Sequence, residues 1–376
     1  MKIPPPTKMT PLYRVNAPTG IETAIGEVLR SGELAGGSNV ELFESRFGSF
    51  IGNPLVTSTG EVSSTIAMCL YMAGVRPGDE VIASPLACLA TNIPILNLFA
   101  NVKWCDVDPL TGNMDAADLA AKISKRTKAI LLFHWAGNPA DLKAIYKVAK
   151  EREVPILEDA SEALGAEFGG RRIGNTGADY VVYSFYPNRH LTTIDGAAVA
   201  FGDEEQFERG RWLKRYGIHR PSFRDSDGEI NPESNIIEGG WSSYLNHVAA
   251  TVGVAQIESL PDRLTMHQEN GECFDAELKS IPNVTVLDRP DNSRSAYWVY
   301  TFLSDRRDSL LTHLKSNGVQ ASKVHLRNDV YSCFGGPSET LPGVDDFSRR
   351  GLSIPCGWWV DAAERERIVE VIASLK

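Results

Sequence analysis

The stretch YSFYPNRHLTTIDGAAVAFGD, Tyr183 to Asp203, sets an arginine and a histidine side by side just after an apolar strand and a proline. A guanidinium stays protonated at physiological pH, so Arg189 can supply a fixed positive charge but is neither a nucleophile nor a base. His190 titrates near neutrality and is a candidate acid or base. Neighbouring residues in extended chain point to opposite faces, so the two side chains do not enter one site together by default. Upstream, PILEDASEA ends a buried strand in carboxylates, among them Asp159 and Glu162, which can hold a proton or pair with a cation. Two further segments, RYGIHR (Arg215, Tyr216, His219, Arg220) and VHLRNDVYSCF (His325, Arg327, Asn328, Tyr331), gather basic and polar groups. An arginine fork donates two parallel hydrogen bonds, which suits a diphosphate. A solvated basic loop is the plainer alternative for both segments.

These residues need a scaffold, and the pattern supplies one. A helix is predicted near Ile21 to Ser31, and NVELFESRFGSFIG repeats apolar residues at helical spacing. Helix and strand then alternate. STIAMCLYMAGV reads as a buried helix, GDEVIAS as turn and strand, TNIPILNLFAN as helix and VKWCDVD as strand. DAADLAAKIS reads as helix, KAILLFHWAG as strand, PADLKAIYKVAKEREV as an amphipathic helix and PILEDAS as a strand. ADYVVYSFYP and DGAAVAFGD add two strands around the opening stretch. Such alternation predicts an α/β fold, a mostly parallel sheet sandwiched by helices. Ligands gather at the carboxyl ends of strands in that architecture. The run VAATVGVAQIESLPDRLTMHQENGECFDAELKSI reads as one long connecting helix. AYWVYTFL, RDSLLTHLKSNGV and DAAERERIVEVIASL then make a smaller C-terminal α+β domain. We divide the chain into an arm and first helix packing with the small domain (1–35), a large α/β domain (36–262) and a small domain (263–376). The proline-rich start is expected to be extended.

With 376 residues and a net charge of −10, the chain lacks the basic face of a nucleic-acid binder. An acidic protein can still hold an anionic small molecule in a local basic pocket. The six cysteines show no C-x-x-C pair and no zinc-type Cys/His cluster, so no metal site is expected. The N-terminus has no apolar signal region, and no stretch is long and apolar enough to span a membrane. A cytoplasmic protein without membrane partners is the expectation.

The order of FESRFGSFIG, GVRPGDEVIASP, VKWCDVDPLTGNMD, RTKAILLFHWAGNPADLKAI and VPILEDASEALGAEFGGRRIGNTGADYVVYSFYP, then LKRYGIHR, VGVAQIESL and VHLRNDVYSCFGG, resembles the DegT/DnrJ/StrS family of sugar aminotransferases. The resemblance spans nearly the whole chain. It implies the fold type I architecture of pyridoxal-phosphate (PLP) enzymes, a homodimer with active sites at the subunit interface, and nucleotide-linked keto or amino sugars as substrates. It places Asp159 on the aspartate that pairs with the pyridinium nitrogen and Glu162 near the ring hydroxyl. Ser184 falls on the phosphate-binding serine. The lysine that forms the Schiff base is replaced by Arg189. The phosphate-cradling turn aligns with Glu61, Val62 and Ser63, beside Ser64, where a carboxylate would repel a phosphate. Cys88 takes the place of the ring-stacking aromatic, and Ser242 that of an asparagine supplied by the partner subunit. RYGIHR and VHLRNDVYSCF match segments that line the sugar-nucleotide pocket.

These departures lead us to expect a nucleotide-sugar enzyme that is not a standard transaminase and carries no covalent cofactor. Acid–base chemistry such as dehydration, epimerisation or isomerisation would fall to His190, Asp159, Glu162, Glu61, Tyr186 or Cys88. Arg189 would stabilise an enolate or a phosphate. One alternative is a dehydratase holding PLP or pyridoxamine phosphate (PMP) non-covalently. Another is a non-catalytic sugar-nucleotide-binding subunit paired with an active paralogue. Trp358 and Trp359 are expected to pack the small domain, and Trp135 could pack or line the site.

Overall fold

The computed structural model describes residues 9–337 and 340–375; the proline-rich start, residues 1–8, lies outside them. The chain opens with α1 (Ile21–Ser31) and α2 (Ser38–Ile51), and then alternates. β1 (Val56–Thr59), α3 (Val62–Met72), β2 (Glu80–Ala83), α4 (Leu89–Asn97), β3 (Asn101–Trp104), α5 (Ala116–Lys122), β4 (Thr127–Phe133), α6 (Leu142–Arg152) and β5 (Ile156–Asp159) follow one another. A short hairpin, β6 (Glu167–Phe168) and β7 (Arg171–Arg172), precedes β8 (Tyr180–Ser184) and β9 (Ala197–Phe201). α7 (Glu204–Leu213), the short α8 (Arg220–Phe223), α9 (His247–Ile257) and α10 (Leu260–Leu278) lead to the last part of the chain.

The main sheet has the order β1-β9-β8-β5-β4-β2-β3. Its members from β8 to β3 pair in parallel, while β9 runs antiparallel to both of its neighbours. The expected helix-covered, mostly parallel sheet is the observed one. Buried strands of this kind need apolar residues on both faces, and β4 supplies them in alternation. Ile130 and Leu132 join a core with Phe43, Phe47 and Phe185, whereas Ala129, Leu131 and Phe133 join one with Ile66, Leu70 and Trp104.

The remainder holds β10 (Val284–Val286), β11 (Ser293–Arg294), β12 (Tyr300–Ser304), α11 (Arg307–Ser316), α12 (Pro342–Arg350), β13 (Gly351–Ile354) and α13 (Ala362–Ala373). β10, β12 and β13 form a small antiparallel sheet over a core of Phe274, Tyr300, Phe302 and Leu352. β11 instead pairs with β6.

Three sequence expectations need correction. The long connecting helix is two helices, broken at Glu258–Ser259, with Pro261 in the first turn of α10 where its missing N–H costs nothing. The division placed at residues 262 and 263 therefore falls inside α10. The first helix packs against α9 and not against the C-terminal sheet. Only the arm before it reaches that region: Thr10 N–H donates to the Gly318 carbonyl at 2.8 Å, and Trp359 Nε1 donates to the Pro11 carbonyl at 2.8 Å. α7 and α12 also form where we had placed no element.

Candidate active site

The carboxyl edge of the main sheet collects the chemistry. β5 ends at Asp159, β8 at Ser184, and β1 leads into α3 through Gly60 and Glu61. Alternation along β5 sends Glu158 to the far side, where His134 Nε2 lies 3.2 Å from its carboxylate and the Tyr146 hydroxyl donates to it. Asp159 is 2% exposed. It accepts from the Thr91 hydroxyl at 2.6 Å and from the Ser161 N–H at 3.0 Å.

Glu162, one turn further on, is the hub. Its Oε1 accepts from Arg189 Nη1 at 3.1 Å and from His325 Nε2 at 2.7 Å, and its Oε2 accepts from the Ala136 N–H at 2.9 Å. The loop after β4 makes the last contact possible. Gly137 adopts φ +94°, and a Cβ there would lie 2.8 Å from the Glu162 carbonyl oxygen. Glycine is the residue that accepts both conditions. The same loop pairs with the bend between β11 and β12 that carries Trp298, whose N–H donates to the Ala136 carbonyl at 3.0 Å.

Arg189 is delivered by a tight turn, its N–H donating to the Tyr186 carbonyl at 3.0 Å, and its side chain is only 9% exposed. The guanidinium carbon sits 4.5 Å from the centre of the Trp298 ring. Trp298 is also stacked with His325, 5.9 Å and 8°, and with Tyr13 of the N-terminal arm, 4.9 Å and 21°. Burial pushes the Tyr13 phenol well above its usual range, and the Glu162 charge adds to the effect. Burial likewise raises the thiol of Cys88, the residue at the N-terminal boundary of α4, which feels Arg189, Glu162 and Asp159. One cluster thus contains Cys88, Asp159, Glu162, Arg189 and His325, all selected from sequence, with Tyr13, Thr91 and Trp298, which were not.

His190 does not join it. The ring is buried on the other side of the turn, with Nε2 3.1 Å from the Ala296 carbonyl and an edge-on contact to His267 at 4.7 Å. Burial, with His267 and Arg263 nearby, holds its pKa well below the usual value, so it stays neutral and serves packing. The opposite-face argument for adjacent residues applies here, and the expectation of His190 as a base is corrected.

The β1 side of the edge is closed by the chain itself. Glu61 caps α3, and its carboxylate accepts from the Ser63 N–H at 2.6 Å and from the Ser64 N–H. The Ser64 hydroxyl lies 2.7 Å from that of Ser243, and Thr65 Oγ1 donates to the Glu61 carbonyl at 2.6 Å. Ser184 Oγ accepts from the Tyr186 N–H at 3.3 Å. Lys214, just outside, is held by Glu44 at 3.0 Å and by the Ser58 carbonyl.

The segments expected to bind a sugar nucleotide are divided. His325 belongs to the Glu162 hub. Arg327 closes its fork on Asp329, at 2.7 and 2.5 Å, and also donates to Asp345, so three of its five N–H donors, one on each nitrogen, are engaged within the protein. Asn328 is 1% exposed and donates to the Ala87 carbonyl at 2.8 Å, a structural tie to the loop before α4. Tyr331 is half-buried at the end of that turn. Arg215 lies over the Tyr244 ring at 5.3 Å, Ser242 is exposed and accepts from the Tyr216 hydroxyl at 2.9 Å, and His219 Nδ1 is 2.7 Å from the Ser222 hydroxyl. Arg220 and Tyr186 face solvent. Trp359 packs on the arm and on His267, Trp358 lies beneath Arg14, and Trp135 is buried against Phe347. Among the described residues there is no cluster of metal-binding side chains and no helix long and apolar enough to cross a membrane.

A model of the DegT/DnrJ/EryC1/StrS aminotransferase family matches residues 19–373. The chain belongs to that family. It is 35% identical to sugar aminotransferase CalS13 from Micromonospora echinospora, with a TM-score of 0.92 over 98% of this chain and 100% of that one. It is 28% identical to dTDP-3-amino-3,4,6-trideoxy-alpha-D-glucose transaminase of Streptomyces venezuelae, covering 93% of this chain and 90% of the relative. It is 25% identical to DesV of S. venezuelae, solved in complex with a ketimine intermediate, with a TM-score of 0.89 over 98% of each chain.

These relatives correct one expectation. Working without a bound cofactor is not what an aminotransferase family does, and the ketimine of DesV is chemistry that a pyridoxal cofactor carries. The residues of this chain fit such a group at one end. Asp159 is buried and preset by Thr91 and Ser161, as a pyridinium partner must be, and the buried Ser161 hydroxyl and Asn188 side-chain oxygen have no hydrogen-bond partner among the described residues. The other end does not fit. Arg189 cannot form a Schiff base, and Glu61 fills the N-terminus of α3. A PLP or PMP held without a covalent bond agrees with both facts.

Proposed function

We propose that this chain acts on a nucleotide-linked keto sugar by proton transfer beside the ketone, with PLP or PMP held non-covalently. Dehydration, epimerisation and isomerisation all belong to that class. The observation that carries the reading is the buried Glu162 carboxylate shared by Arg189 and His325. Because Nε2 of His325 gives its hydrogen to a carboxylate, Nδ1 keeps its lone pair and can take a proton. Glu162, already accepting three hydrogen bonds, orients the imidazole and compensates its charge, and is not itself the base. Arg189 offers a fixed positive charge to an oxyanion developing on the substrate. The bound cofactor would supply an electron sink, its ring nitrogen facing Asp159. Exposed Arg220 and the Arg215 loop are the donors left for a diphosphate, and a second copy of the chain completes the cleft, as the family resemblance implies.

The test is solvent exchange. Protein, PMP and a 4-keto nucleotide sugar are incubated in D2O, and deuterium at the carbons flanking the ketone is followed by NMR. Exchange is expected with the native protein and lost with His325→Gln and Glu162→Gln. No exchange above the protein-free rate sinks the reading. The engaged fork of Arg327 and the self-capped α3 favour a second reading, a non-catalytic subunit paired with an active paralogue. Its mark would be nucleotide-sugar binding without exchange, and turnover gained on adding the paralogue.

A further inference from the structure

The N-terminus of α3 is a place on the carboxyl edge where backbone donors converge, and it is already satisfied. Ser63 and Ser64 give their N–H groups to the two oxygens of Glu61, and the Ser64 and Thr65 hydroxyls are turned to Ser243, Glu61 and Thr59. The helix end favours negative charge and Glu61 provides it from within the chain. Lys214, whose ammonium donates to the Ser58 carbonyl just ahead of this turn, is neutralised by the Glu44 carboxylate, which also takes the Ser58 N–H at 2.6 Å. Two anions cannot share those N–H groups, since they repel and the donors are too few for both.

We propose that Glu61 is a built-in competitor for the phosphate of the cofactor, so that this protein recognises the ring and not the phosphate and holds the cofactor exchangeably. The inference rests on the non-covalent reading given above. With no Schiff base at Arg189 and no phosphate seat at α3, the remaining hold is Asp159 and the surfaces around the ring. The ligand is then free to leave between encounters, unlike one tied by a lysine.

PMP and pyridoxamine differ only in the phosphate, and calorimetric titration of both into the native protein, Glu61→Gly and Glu61→Ser separates the possibilities. Serine keeps a cap on α3 without the carboxylate, and thermal melts confirm that the variants fold. The native protein is expected to bind the two ligands within ~2-fold of each other. Both variants are expected to bind PMP ~10-fold tighter, with pyridoxamine unchanged. A native protein that already prefers PMP by ~10-fold overturns the role of Glu61 while leaving the non-covalent reading intact. Variants without a phosphate-dependent gain overturn it too. If neither ligand binds any of the three proteins, the proposal and the reading beneath it both fail.

Discussion

Two parts of one sheet edge have met different fates. At the end of β5, Asp159 is buried and accepts hydrogen bonds from Thr91 and Ser161 and from no other described residue. At the end of β1, with β8 and β9 between, the α3 terminus is filled by Glu61. The first has the form of a preset partner awaiting a ligand, and the second that of a finished helix cap. Between them Arg189 ties the turn after β8 to Glu162. A scaffold can thus keep the electrostatics of one half of a site while converting the other half to ordinary structural use, and the fold registers no difference.

The comparison is most exposed at the hub. Glu162→Ala leaves a buried guanidinium and the His325 donor without their acceptor, and should cost about 3–5 kcal/mol in urea unfolding. A loss below about 1 kcal/mol would mean Arg189 swings to solvent and the two halves are not coupled.

Acid comes next. His267 is held down to about 4 by burial, and His190 well below its usual value. Both are neutral when folded, whereas the unfolded chain takes up protons below about 6.5. Their contribution is therefore complete above pH 6.5 and is lost as pH falls toward 4, by about 3 kcal/mol for His267 alone. Denaturant midpoints measured across that range should fall, and the charge of Arg263, which lowers both histidines further, extends the fall toward lower pH. A flat profile would place the histidines in contact with water.

Thr91→Val removes the hydroxyl from Asp159 and should cost about 1–3 kcal/mol, since it strips a donor from a buried carboxylate. If Asp159 is kept for ligand and not for folding, the same variant should weaken pyridoxamine binding more than PMP-independent properties such as the melting temperature. Glu61→Ala, at the other half, should cost about 1 kcal/mol as an ordinary cap does. Equal effects of both variants on binding would erase the distinction between the two regions.

Much of this was legible in the sequence. Period-two and period-3.6 patterns placed the strands of the main sheet from β2 onward and the helices between them, and the EDASEA run marked the end of β5. The resemblance pointed to Arg189 as the residue in the lysine's place, and residue chemistry then ruled it out as a Schiff-base former. His190 and His325 differ by packing, not by type: one turns into a core with His267, the other onto Glu162 from 163 residues away in sequence, and the sequence did not distinguish them. Tyr13 and Trp298 were missed for the same reason, since nothing local in PLYRV or AYWVY signals that the two rings meet. Arg327 looked like a diphosphate ligand until Asp329 and Asp345 were seen to claim its fork. The signal was present two residues on, in LRND, and was outweighed by the resemblance.

The arm that carries Tyr13 has a practical corollary. Residues Thr10 to Tyr13 are clipped to Gly318, Gln320 and Trp359 before the chain reaches Trp298. A shortened clone starting at Val15 would strip one wall from the cleft and would also remove the buried Leu12, so it should melt below the full chain even though the central sheet is spared. Affinities measured on such a clone would mix a lost wall with a weakened fold.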